Sequence, residues 1–492
     1  MTRHAFAVAA ATLALVLNGS AQQAPPAAPP QNPSTAPGTV MKGKAPVNKE
    51  TLKVMLPKPQ QTDLSNGLHL MVLEDHRAPM VTFQLLIEGA GGYYDPPEEP
   101  GLAGFTAALM REGTEGRTSE QISEQLDRLA AEVTIGAGIS SPFANLSGSG
   151  LSDSVDTVLA IMADVLMHPS FAQAEIDRYK ARTRADLTAQ RSRPAFLAQE
   201  RFQRVVFGDH PGARVAATPA SIDALTRERL VDFHKAHYLP DRAVMAISGD
   251  ITLPVAKQKL EAALGGWAKS GRAIAPTKDP AALTGGSISL VARPGSVQTS
   301  LVVGTQAIER TSPDYEALTV ANRIIGGPSA RLFEHLREQK GYTYGAGSNF
   351  NAGRYRGFWS ASTDVRTEVT DPALTDLLDE IRQMRETPVP AEELGNMKRA
   401  IVASFARSLE NPAAILNNYI ESYIYKLPPD YWDQYPERIA AVTAADVQRV
   451  AQKYWSADRL QIVAVGDAAR IEPALKKLGP VQAFDAEGQP LR

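Results

Sequence analysis

The sequence predicts an α+β protein built as two homologous sandwiches of helices on a sheet, and three features carry that prediction. The chain has 492 residues, 43% hydrophobic and 21% charged, enough for more than one packed core. A stretch rich in Gly, Pro, Lys and Asp, around TKDPAALTGGS between Gly265 and Ser287, divides it. The window SIDALTRERLVDFHKAHYLPDRAVMAISGD (Ser221 to Asp250) aligns without gaps on RIAAVTAADVQRVAQKYWSADRLQIVAVGD (Arg438 to Asp467), at a constant offset of 217 residues. Ile222/Ile439, Ala224/Ala441, Thr226/Thr443, Asp241/Asp458, Arg242/Arg459, Gly249/Gly466 and Asp250/Asp467 are identical. Each copy reads as a helix, a turn and an apolar strand ending in Gly-Asp, so the halves are expected to share one fold.

Taken in order, the chain opens with MTRHAFAVAAATLALVLNGSAQQ: a basic start at Arg3 and His4, an apolar run from Ala5 to Leu17, then small residues Gly19, Ser20 and Ala21. That is the pattern of a secretory signal cut near Ala21, and the run is short for a membrane span. Residues 1–21 are therefore expected to be a signal peptide and 22–50, with repeated Ala-Pro and Pro-Pro steps, a disordered linker. The first half is expected over 51–270, an inter-domain linker over 271–287, the second half over 288–480 and a tail over 481–492. Within the first half, LHLMVLED (Leu68 to Asp75), after the turn Ser65-Asn66-Gly67, and VTFQLLI (Val81 to Ile87) read as strands. Gly101 to Thr114 and Ser119 to Ala131 read as helices, the second with Ile122, Leu126 and Leu129 at helical spacing.

Composition excludes several functions. A formal net charge of −3 without a basic run or basic-aromatic stripe leaves no footprint for nucleic acid or a membrane surface. The count of cysteines is 0, which removes disulfides, lipoprotein anchoring and thiol catalysis. No G-x-S-x-G elbow appears, which argues against a serine hydrolase. His234 and His237, three apart on an expected helix, could share a face. With no acidic third ligand nearby they read as structural. His210, before Pro211, reads as loop chemistry, His335 as a solvated helix histidine, and Glu112 as a surface charge at a helix end.

The segment GLAGFTAALMREGT (Gly101 to Thr114) resembles the active-site helix of the pitrilysin/insulinase-type zinc peptidases, G-L-A-H-F-L-E-H-M-L-x-x-G-T. Gly101, Leu102, Ala103, Phe105, Gly113 and Thr114 match, whereas the two metal-binding His and the general-base Glu fall on Gly104, Ala108 and Ala107. Those residues have no atom that ligates a metal or takes a proton from water. The resemblance extends through LSNGLHLMVLED, FGDHPGARVAATPASIDALT, HYLPDRAVMAISGD, RPGSVQTSLVVG and IIGGPSARLFEHLREQKGYTYGAGSNF, from about Leu64 to Asp467.

The resemblance implies two α+β domains per chain, paired as four around a chamber, with substrate added as a strand to a sheet edge. The family's third ligand would fall near Arg184 to Asp186, where Asp186 is the acid, which the resemblance implies as a remnant ligand; one carboxylate alone does not make a catalytic zinc site. No metal is therefore expected in this chain. Arg337 and Tyr344, in LREQKGYTY, match the family's Arg-Tyr pair, which implies substrate binding and oxyanion stabilisation at a zinc site opposite. The plain alternative is a surface Arg paired with Glu338 or Glu334 and a Tyr packed in the sheet. Tyr342 falls at the wrong spacing. The leading expectation is the non-zinc subunit of a periplasmic or secreted heterodimeric metalloendopeptidase, inactive alone. Its partner would be a homologous H-x-x-E-H chain holding the zinc. A catalytically silent binding or assembly subunit is the alternative, and a homodimer that binds peptides without cutting is a third.

Overall fold

The computed structural model describes residues 52–271, 274 and 277–491, so the expected signal peptide (1–21) and linker (22–50) lie outside the described residues. The first half supplies β1 (Gln60–Asp63), β2 (His69–Glu74), β3 (Met80–Glu88), β4 (Glu132–Ala137), β5 (Phe143–Leu151) and β6 (Ala243–Gly249). They form a six-stranded sheet in the order β1-β2-β6-β3-β5-β4. The second half supplies β7 (Ser287–Ala292), β8 (Gln298–Gln306), β9 (Thr343–Asn351), β10 (Phe358–Arg366), β11 (Gln461–Gly466) and β12 (Val481–Phe484), in the order β12-β7-β11-β8-β10-β9. The α+β class and the two-sandwich architecture expected from sequence are therefore present.

Pairing repeats between the sheets. β2 runs parallel to β6 with His69 opposite Val244, and β7 runs parallel to β11 with Ile288 opposite Ile462. β3 is antiparallel to β6 and β8 antiparallel to β11. The helices Arg227–His237 and Ala444–Tyr454 sit at the same 217-residue offset seen in the sequence. Each is capped by a threonine hydroxyl that accepts a third-residue N–H: Thr226 from Arg229 and Thr443 from Asp446. Such a cap typically stabilises a helix by about 1 kcal/mol.

One boundary differs from expectation. Residues 481–484 are not tail: they form β12, parallel to β7, with Phe484 buried. β12 takes the place in the second sheet that β1, antiparallel to β2, takes in the first. The halves also exchange helices. Pro194–Phe207, from the first half, packs Leu197, Phe202 and Val206 onto Val302, Val463 and Val465 of the second sheet. Pro412–Tyr425, from the second half, packs Ile415, Leu416 and Ile420 in one core with Met71, Leu73 and Ala246 of the first sheet. Both begin with proline at the first helical turn, where its missing N–H costs nothing. Burying a side chain the size of Phe202 is worth about 1.5–3 kcal/mol, so each exchanged helix is a substantial part of the core it joins.

Candidate functional site

The Leu102–Met110 helix lies between β3 and β4 and packs on β4, the edge strand of the first sheet. Its start is fixed by two devices. Gly101 holds φ 101°, a left-handed conformation that glycine adopts without a Cβ clash. Asp95 then receives the N–H groups of Gly101 and Ala103, both at 2.7 Å. Burial pushes the Asp95 carboxyl up to about 7, although these two N–H groups and Arg214 pull it down. Gly104 and Ala108, four residues apart, are half-exposed on one face, while Ala107 is fully buried. A Cβ on Gly104 would meet the carbonyl oxygen of Ala137, on β4, at 3.3 Å, so this helix face lies directly against the sheet edge.

The Gln173–Arg191 helix supports this face through the edge-on contact of Tyr179 with Phe105, centroids 5.8 Å apart. Burial raises the Tyr179 pKa, and Glu112 and Asp186 raise it further, which places both acids near the phenol. Asp186 is exposed, and Glu112 accepts a hydrogen bond from Ser119 Oγ at 2.8 Å. The donor set therefore does not fit a zinc ion: Gly104, Ala107 and Ala108 offer no ligand, leaving one carboxylate on the neighbouring helix. Among the described residues no group of three or more His, Cys, Asp or Glu is arranged to hold a metal.

The remaining histidines are spent elsewhere. His234 Nε2 lies 2.7 Å from the Leu166 carbonyl and His237 Nδ1 lies 2.6 Å from the Gly89 carbonyl. Burial lowers both pKa values, so each is a neutral ring donating to backbone. His210 Nδ1 accepts the Gly212 N–H, a local loop contact. His335 is not solvated as expected: it is half-buried, with Nδ1 2.8 Å from Glu380 and Nε2 3.8 Å from Asp376.

At the edge of the second sheet the chain brings Arg337 and Tyr344 together. Residues Glu334–Gln339 form one wide π turn, in which the Lys340 N–H reaches the His335 carbonyl at 3.1 Å. Such turns are often found at functional sites. His335 and Lys340, at its two ends, lie 3.8 and 3.7 Å from Asp376 on the Thr370–Glu386 helix, and His335 Nδ1 pairs with Glu380 of the same helix at 2.8 Å. Arg337, between them, lies with its guanidinium carbon 4.7 Å from the Phe333 ring and 4.7 Å from the Tyr344 ring. Arg337 Nε is 3.3 Å from Glu338, so the plain surface pairing is present in part. The other half of that alternative fails: Tyr344, on β9, is 87% exposed and its hydroxyl has no hydrogen-bond partner among the described residues. Tyr342, two residues earlier, packs against the core. Phe333 was missed from sequence, although an aromatic four residues before an arginine on a helix is the spacing of a side-chain contact. The Gly104 face and the Arg337/Tyr344 pair lie at the corresponding edges, β4 and β9, of different sheets.

The family model described as "Insulinase (Peptidase family M16)" matches residues 70–219, and the one described as "Peptidase M16 inactive domain" matches residues 224–401. An uncharacterized zinc protease of Rickettsia bellii is 24% identical over 407 residues, covering 81% of this chain and 96% of its own length. The uncharacterized zinc protease YmxG of Bacillus subtilis is 22% identical over 348 residues, covering 70% and 83%. Among solved structures, a peptidase M16 inactive domain from Pseudomonas fluorescens superposes with a TM-score of 0.78 at 27% identity, covering 83% of this chain and 98% of that one. A protease from Helicobacter pylori gives 0.77 at 15% identity, covering 84% and 100%, a likeness of fold.

Proposed function

Since this chain belongs to the insulinase (M16) peptidase family, we propose that it is the subunit without metal of a heterodimeric endopeptidase, periplasmic or secreted, that lends Arg337 and Tyr344 to a partner's active site. The partner is a homologous chain carrying H-x-x-E-H, which holds the zinc that activates the attacking water. In this chain the corresponding helix face, Gly104, Ala107 and Ala108, is a degenerate zinc site, so the chain is inactive alone.

One observation carries the reading. An always-charged guanidinium is held between two rings beside an exposed phenol, and the phenol's hydrogen bond is unspent within the chain. A fixed cation and a directed O–H donor are what a developing oxyanion needs, and they act without reorganising during the reaction. Their place at the edge of the second sheet, not the sheet that carries this chain's own Gly104 face, suits use in a second polypeptide's site.

The test is to purify this chain, co-express it with the H-x-x-E-H homologue from the same source, and follow cleavage of a quenched fluorescent peptide. Activity of the pair, absent from either chain alone and removed by a chelator, is expected. Chelator-sensitive cleavage by this chain alone would overturn the division of labour. A stable pair with no cleavage would instead support a silent assembly subunit.

A further inference from the structure

Between the two halves lies a cavity of about 810 Å3, bounded by the Pro194–Phe207 helix, the connection that follows it, β7 and the turn after β12. We propose that it binds a carboxylate carrying an apolar tail, with the C-terminus of a peptide as its source. Its size is that of a small-ligand site, and Pro97, Pro100, Leu197, Val215 and Val291 give it apolar walls.

Four guanidinium groups line this cavity, and one of them, Arg191, is taken up by Glu200 and the Ala486 carbonyl. Arg201 is held on two sides: Nε donates to Ser289 Oγ at 3.1 Å, and its guanidinium carbon lies 3.4 Å from the centre of the Phe484 ring. Neither of its terminal nitrogens has a partner among the described residues. Arg214 gives Nη1 to the carbonyls of Gly92 and Asp95, at 2.9 and 3.2 Å, which leaves Nε and Nη2 open. Arg204, three residues along the helix from Arg201, is exposed and stands 3.5 Å from the exposed Asp209. Burial lowers the Arg201 pKa, Arg204 lowers it further, and no carboxylate offsets them. Burial likewise lowers that of Arg214, against the pull of Asp95 and Glu98.

Among the acids of the lining, Asp209 pairs with the exposed Arg204, and none pairs with Arg201 or Arg214. Glu200 takes Arg191 at 2.9 Å, and Asp485 accepts the N–H groups of Glu487 and Gln489. The Glu487 side chain is exposed. What remains is a fixed guanidinium fork with open donors beside an apolar wall. A carboxylate satisfies such a fork with two parallel, charge-assisted hydrogen bonds, and its tail covers the wall. Occupation of this site needs neither a partner chain nor Arg337 and Tyr344, so it stands or falls separately from the proposed activity.

The experiment measures fluorescence polarisation of a labelled pentapeptide ending in leucine, with the full chain. The free acid should bind, and the C-terminal amide should bind at least about tenfold more weakly, the scale of a lost charge-assisted pair. Arg201→Gln should bring the acid down to the level of the amide. Arg204→Gln, at an exposed side chain that the fold does not use, should weaken the acid in the same direction. Arg128→Gln, at an exposed side chain outside the cavity lining, should leave the affinity unchanged. Octanoate as competitor separates the sources: full displacement at similar concentration keeps the carboxylate site and assigns it to free organic acids. Equal binding of acid and amide, or acid binding unaffected by both arginine changes, would overturn the proposal.

Discussion

Tyr344→Phe isolates one hydrogen-bond donor. The phenol ring is 87% exposed and its hydroxyl has no protein partner among the described residues, so removing the oxygen leaves packing untouched. Folding stability should stay within about 0.5 kcal/mol, as for surface changes away from special features. The ring's contact with Arg337, 4.7 Å from guanidinium to centroid, also survives. If the hydroxyl meets the oxyanion in a partner's site, kcat of the two-chain complex should fall by about 10² to 10³, or about 2.7–4 kcal/mol, with KM little changed. Tyr344→Ala should cost more, since it also releases a cation–π contact worth about 0.5–1 kcal/mol at exposed sites. Steady-state kinetics on complexes matched by size exclusion decide the matter. A kcat within a few-fold of the parent for Tyr344→Phe would refute the composite site and favour an assembly role.

Five further outcomes are expected. Arg337→Lys keeps the charge but loses the planar group that stacks on Phe333 and Tyr344, so the same complex should lose at least about tenfold in kcat. The isolated chain should retain far less than one zinc after dialysis, by metal analysis. Rebuilding with Gly104→His, Ala107→Glu and Ala108→His should lower the melting temperature, because Ala107 is fully buried and a carboxylate there is both oversized and desolvated. Asp95 is protonated more readily in the fold, near pH 7, than in the unfolded chain at 3.8, so its favourable contribution is present below pH 4 and lost as pH rises through 7. The urea midpoint should fall from pH 5 to pH 8, and more steeply than in Asp95→Asn. Gly326→Ala should destabilise strongly in a thermal melt, because the new Cβ would sit 2.1 Å from Ser348 Oγ on β9.

The repeat was legible because its parts are local: a threonine cap, an apolar helix face and a strand ending in Gly-Asp, all within the window from Ser221 to Asp250. The helix at Leu102 was legible for the same reason, as was the absence of ligating atoms on it. The exchanged helices were not. Leu197, Phe202 and Val206 announce that their helix is buried, but not which sheet buries it. β12 escaped because four residues, Val481–Phe484, carry too short an alternation to stand apart from a tail. The surroundings of Arg337 were hidden for a third reason. The π turn is tied through His335 to Glu380, an anchor 45 residues further along the chain. No nearest-neighbour pattern reports such an anchor, which is why His335 read as solvated.

The reciprocal helices carry a consequence for how the polypeptide holds together. Each sheet is covered on one side by a helix whose covalent home is the other half. Cutting the chain between Gly265 and Ser287 would break one peptide bond but none of these contacts, so the two fragments should remain clasped until denatured. Expressed singly, either fragment would leave one sheet face uncovered and its own helix without a seat. Such an arrangement is, within one polypeptide, what segment exchange is between two protomers. Co-expression of the severed halves should therefore restore the folded protein.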